Sequence, residues 1–160
     1  MSYATDGTMG VNLTQVDTSA SHTVGTQVVG NEASKWMYIE AASGISQYDV
    51  VMINTSSKGV PITTTNAASG VKVGFAQTSI ASGKYAWVAL EGTNLSANLL
   101  VNCAPHVRLY TTATAGKLDD TIVSAGQVAG VEAQVTAATS GTTSVRIVAT
   151  NPFIHNQSTT

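Results

Sequence analysis

Lys84-Tyr85-Ala86-Trp87-Val88-Ala89-Leu90 carries the pattern of a half-buried strand. Residue types alternate along it at a period of two, the spacing at which successive side chains of an extended chain point to opposite faces. Tyr85 and Trp87 therefore share one face of a strand, as Trp36 and Tyr38 do on another. Ser144-Val145-Arg146-Ile147-Val148 alternates in the same way. Working outward, the segments from Trp36 to Glu40, Val50 to Ile53, Val71 to Gln77, Tyr85 to Glu91, Leu99 to Cys103, Val107 to Thr111, Gly126 to Thr136 and Thr143 to Thr150 are all short. They are rich in β-branched or aromatic residues and are bounded by Gly, Ser, Asn or Pro. Short strands spaced by roughly ten residues predict an all-β domain, a compact β-barrel or β-sandwich. The windows from Thr93 to Val101 and from Ala113 to Val123 are the places open to a helix, but neither has a long amphipathic stripe.

The chain divides into an extended polar N-terminal arm over 1–32, a β domain over 33–154 and a short polar tail over 155–160. The arm carries isolated apolar residues (Tyr3, Met9, Val11, Leu13, Val16) with no sustained period, so alone it buries too little to offset its chain entropy. Within the β domain the sequence resembles itself. Sliding it by 57 positions pairs Val50 with Val107, Thr55 with Thr112, Gly59 with Gly116, Val71 with Val128, Ala76 with Ala133 and Gln77 with Gln134. Two readings stay open: an internal repeat of two β units around a shared core, or the self-imitation of a simple composition.

Composition excludes several function classes. Of 160 residues, 43% are apolar but only 10% are charged, so the surface is polar without being ionic. Such a surface suits a protein that lives packed against copies or partners. A net charge of −2, with seven scattered Lys and Arg, provides no basic stripe for nucleic acid. Apolar runs are too short for a membrane span, and no signal peptide is evident. The single cysteine, Cys103, cannot form a disulfide within the chain, which fits synthesis in a reducing compartment, the cytoplasm.

Little catalytic chemistry survives inspection. Cys103-x-x-His106 has a ligand-like spacing, but zinc takes three or four protein ligands, and two residues three apart on a strand and turn diverge. Cys103 reads as a buried core residue. Asp119 and Asp120 are adjacent and are expected on opposite faces, which is wrong for two carboxylates sharing a substrate. No phosphate-binding glycine loop and no nucleophile elbow occurs. The expectation is a non-enzyme with no cofactor and no metal. Trp36, Trp87 and the tyrosines could line a sugar platform, although core or subunit-interface packing accounts for them better.

The run VGFAQTSIASGKYAWVALEG over 73–92 resembles the head decoration, or capsid cement, proteins of tailed bacteriophages. So do LYTTATAGKL over 109–118, Ala129-Gly130-Val131 and the closing RIVATNP over 146–152. The resemblance covers about residues 45–152. It implies a compact β domain on the outer surface of a virion, bound to the major capsid protein, often as a homotrimer, with an extended terminal arm helping attachment. Tyr3, Met9, Val11 and Leu13 are the expected capsid-binding residues, being the apolar groups an ordered arm has to bury. The alternative is a carbohydrate- or receptor-binding β module of a virion or fibre.

Overall fold

A computed structural model describes residues 10–67, 70–124, 126–138 and 144–155. In chain order the elements are β1 (Val16–Asp17), β2 (Gln27–Val29), a single 3-10 turn (Asn31–Ala33), β3 (Lys35–Ala41), β4 (Val50–Ile53), β5 (Lys58–Pro61), β6 (Lys72–Phe75), β7 (Tyr85–Asn98), β8 (Leu109–Thr111), β9 (Leu118–Asp119), β10 (Gln127–Ala133) and β11 (Ser144–His155). The all-β architecture follows the sequence pattern, but β1, β2, β5 and β9 fall outside the expected strands, and the window from Ala113 to Val123 holds β9 and no helix. The window from Thr93 to Val101 is no helix, because β7 runs on unbroken to Asn98. Leu99 to Cys103 is no strand: Leu99 makes one bridge, to Leu118, and the chain then turns. His155, assigned to the tail, pairs with Gln127 at the end of β11, and 156–160 lie outside the described residues. Among the described residues no helix is long and apolar enough to cross a membrane.

The 11 strands form one continuous sheet that curls twice. In the first ring β3 runs antiparallel to the first half of β7, with Tyr38 opposite Trp87, and parallel to β5, with Ala41 opposite Gly59. Antiparallel ladders then join β5 to β4 and β4 to β6, and β6 returns to β7 at Phe75 and Ala89. In the second ring the other half of β7 runs antiparallel to β11, with Ser96 opposite Arg146. Antiparallel ladders join β11 to β10, β10 to β8 and β8 to β9. A parallel bridge from Leu118 to Leu99 completes the circuit, with the Leu100 N–H donating to Leu118 O at 2.8 Å. Each ring uses five strands, and closure removes the free edges along which sheets aggregate. β7 is long because it is the last strand of one barrel and the first of the next.

Period-two alternation gives each barrel its core. On β3, Met37 and Ile39 point inward, as do Val51 and Ile53 on β4 and Val88 on β7, and together they form an apolar cluster of their own. The space is tight: a Cβ on Gly59 would lie 2.8 Å from Val51 Cγ1 and closer still to Ile39 Cδ1. Leu95, Ala97, Leu99, Leu118 and Ile147 are buried in the second barrel. The opposite faces of β4 and β6 are apolar as well, and Val50, Val73 and Phe75 turn away from the first barrel to join the core of the second. Each such Val, Ile or Phe contributes roughly 1.5–3 kcal/mol on full burial. The loop after β8 locks the barrels together, since Gly116 N–H donates to Ile62 O and Val50 N–H to Gly116 O, both at 2.9 Å. Gly116 sits at φ +75° with the Asp49 side chain against it, where a Cβ would overlap the carboxyl group.

Candidate functional site

The outward face of β3 and β7 carries Trp36, Tyr38 and Trp87, a face too apolar to leave to solvent. Residues 10–29 cover it. Leu13 is fully buried there, and Val11, Val24 and Val28 pack half-buried against the same core. Two short ladders hold the segment: β1 on β7, with Val16 opposite Ala86, and β2 on β3, with Val28 opposite Trp36. Gly25 N–H donates to Tyr38 O at 2.7 Å, and Tyr38 N–H to Thr26 O at 2.9 Å. The N-terminal segment is thus a strap from residue 10 onward. Its apolar residues show no period because they meet the barrel singly, Leu13 buried, Val11, Val24 and Val28 half-buried and Val16 exposed, around ladders only two and three residues long.

This placement revises the expected binding residues. Leu13 is fully buried in the core and Val11 packs half-buried against it; Tyr3 and Met9 lie outside the described residues. The residues that fasten the strap had no signature in the sequence. The Asp17 carboxylate accepts from Tyr38 Oη at 2.6 Å, from Gln15 Nε2 at 2.8 Å and from Ser21 Oγ. Ser21 N–H in turn donates to Tyr38 Oη at 3.2 Å. Partial burial pushes the Asp17 carboxyl upward, but the donors Ser21, Tyr38 and Gln15 outweigh it and hold the group below its ordinary value. Burial, and then the bond to Asp17, push the Tyr38 hydroxyl up.

Around this network the rings stack. His22 meets Tyr38 edge-on at 5.2 Å and lies tilted against Trp87 at the same distance, while Tyr85 stacks on Tyr38 at 6.2 Å. A groove of about 440 Å³ remains between strap and barrel, with Gln15, Asp17, His22 and Trp87 in its walls. Trp36 and Trp87 are only 5% and 2% exposed, so neither presents a ring face on which a sugar could stack. The carboxylate is occupied by donors and the imidazole by ring faces; the arrangement acts as a clasp.

The other sequence candidates lie on the second barrel. Cys103 is buried, and burial followed by the charges of Asp120 and Asp119 pushes its thiol up to about 11. The expectation that Asp119 and Asp120 diverge is corrected: the chain bends after β9, and ligand atoms of Cys103, Asp119 and Asp120 lie within 4.8 Å of one another. One of these carboxylates is already engaged, because Ala104 N–H donates to Asp120 Oδ2 at 2.9 Å. His106 turns to Glu132, Nδ1 to Oε1 at 2.5 Å, on an exposed surface, and that pairing holds the Glu132 carboxyl below its ordinary value. No family model, no curated protein and no solved structure matches this chain.

Proposed function

We propose that the chain is a non-catalytic structural protein of a bacteriophage virion, which binds the outer surface of an assembled capsid as a homo-oligomer, a trimer in the favoured arrangement, and stabilises the shell. The observation that carries this reading is the strap. It commits Leu13, Val11 and the aromatic face to fastening the N-terminal segment on a barrel. Residues 1–9, which hold Tyr3 and Met9, precede that strap in the chain. Such a segment can add to a sheet edge of the major capsid protein, with main-chain bonds supplying affinity and alternate side chains supplying register. Tightly filled barrels with a weakly charged surface suit a part that works by its shape. Among the described residues, three groups able to do acid, base or nucleophilic chemistry are engaged elsewhere: Asp17 in the clasp, Cys103 as a buried thiol and His106 with Glu132.

Decoration stabilises a shell because the protein binds assembled capsid and not loose subunits, so occupancy adds to the free energy of the assembled state. Several copies of the segment on one oligomer raise the effective concentration of each after the first has docked. The test is co-sedimentation with empty expanded shells of the encoding virus, followed by heating of the decorated shells. Fixed stoichiometry and a raised disruption temperature are expected, and both should be lost when 1–9 are removed. Protein that stays in the supernatant would overturn the proposal. Removal of 1–32 is the wrong control, since it strips the strap from Trp36, Tyr38 and Trp87.

A further inference from the structure

We infer that the strap is exchanged between copies, so that residues 10–29 of one chain seat on the Trp36–Tyr38–Trp87 face of another. This rests on the homo-oligomer proposed above and says how the copies are joined. Three observations point to it. The only chain that has to change course for exchange is the connection from Val29 to Lys35, and that connection is short and strained. Glu32 lies at φ 55°, ψ 34° and Ala33 at φ 56°, two consecutive left-handed residues, and neither is glycine. A Cβ makes that backbone unfavourable, and extending the connection releases both residues. Short hinges under strain favour exchange of the element they carry.

Second, every contact of the strap is independent of which chain supplies it. The Leu13 site, the β1 and β2 ladders and the Asp17 clasp are all made to the barrel, so a neighbour's strap recreates them in full. The hydrogen bonds that hold the turn stay within residues 30–36: Gly30 N–H to Ser34 O at 2.7 Å, Ser34 N–H to Asn31 O at 3.1 Å, Ser34 Oγ to Asn31 O at 2.8 Å and Trp36 Nε1–H to Ser34 Oγ at 2.9 Å. Third, the face under the strap is specific to it. Two tryptophans and a tyrosine cannot be left bare, and their best cover is the segment whose Leu13, Asp17 and Ser21 already fit them. A second copy of this chain is therefore the occupant when the hinge opens.

The experiment places cysteines on the two sides of the hinge. Val29 and Lys35 are directly opposed on β2 and β3, both exposed, while the native Cys103 is buried. The double variant Val29→Cys/Lys35→Cys is oxidised, its mass is measured in solution, and it is run on a non-reducing gel. Exchange predicts an oligomer whose chains are joined by the new disulfide. The single variants Val29→Cys and Lys35→Cys, co-expressed, should give a mixed cross-link even if the double variant folds poorly. Ala33→Gly, which tolerates the left-handed backbone, should raise the concentration needed for assembly about tenfold. A monomer at all concentrations overturns both the exchange and the homo-oligomer. An oligomer whose disulfides all close within single chains overturns the exchange alone.

Discussion

The two barrels share a pairing scheme and fill it differently. At one rung the first barrel sets Tyr38 opposite Trp87, whereas the second sets Ser96 opposite Arg146. The first face needs a cover and has one in the strap. The second makes its own accommodation, with Arg146 Nε and Nη2 both donating to Thr93 O at 3.3 Å and Gln77 bonding both main-chain groups of Ser96. The interiors differ by exchange of large for small. Gly59 beside Ala41 in the first barrel stands where Leu118 beside Leu99 stands in the second. At the end of each barrel, Ile45 bridges Ile80 in the first, while Ala137 N–H donates to Cys103 O at 3.0 Å in the second. Large plugs go with glycine in the wall, small plugs with leucine. A barrel of this size is satisfied by total volume and pattern more than by any one residue.

That comparison can be broken at several points. The largest effect is expected from Trp87→Arg, which gives the first barrel the residue of the second. It removes a buried ring and sets a charge under the strap, for a loss of roughly 3–5 kcal/mol in chemical denaturation and early proteolytic cleavage within 10–29. Leu118→Ala, a step toward the glycine of the first barrel, should cost about 2–5 kcal/mol, because Cys103 and Ala137 are too small to fill the void. Gly59→Ala tests the converse crowding against Ile39 and Val51. It should cost about 1–3 kcal/mol, and the companion change Ile39→Val should recover part of that loss in a double-mutant cycle.

Smaller effects sharpen the role of the strap. Tyr38→Phe deletes the donor to Asp17 while keeping the ring, at about 1 kcal/mol. Because the folded Asp17 carboxyl sits below its ordinary value, its contribution is present above the unfolded value and is lost as pH falls through the folded one. The wild type should therefore lose strap protection on acidification. Asp17→Asn should be weaker at neutral pH and flatter in that acidic window, which hydrogen exchange at Val16 and Asp17 would report. At the bottom of the scale, Glu132→Gln breaks an exposed pair with His106 and should leave the denaturation midpoint unmoved.

Strands with clear alternation were legible in the sequence: β3, β4 and the first half of β7 fall where the pattern puts them. The short ones were not. β5 contains Gly59 and Pro61, which depress strand propensity, and β9 is two residues long, yet both are needed to close a ring. The second half of β7 looked open to a helix because Thr93, Asn94 and Ser96 blur the period; only its ladder with β11 keeps it extended. The clasp has no local signature, because Asp17 and Ser21 lie 21 and 17 residues from Tyr38 in the chain.

Residue order alone is enough for an all-β chain, through a period of two that no other regular structure satisfies, and for a weakly charged surface without a basic stripe. The 57-position self-similarity left its two readings open, an internal repeat or the self-imitation of a simple composition. That the sheet closes into two rings is settled in three dimensions, because closure depends on a parallel pairing of β3 with β5 and a bridge of Leu99 to Leu118, contacts between residues far apart in the chain. So is the place of Leu13 in the core. An isolated leucine in a polar segment carries no period, and its burial depends on a face of three aromatic rings assembled from two other strands.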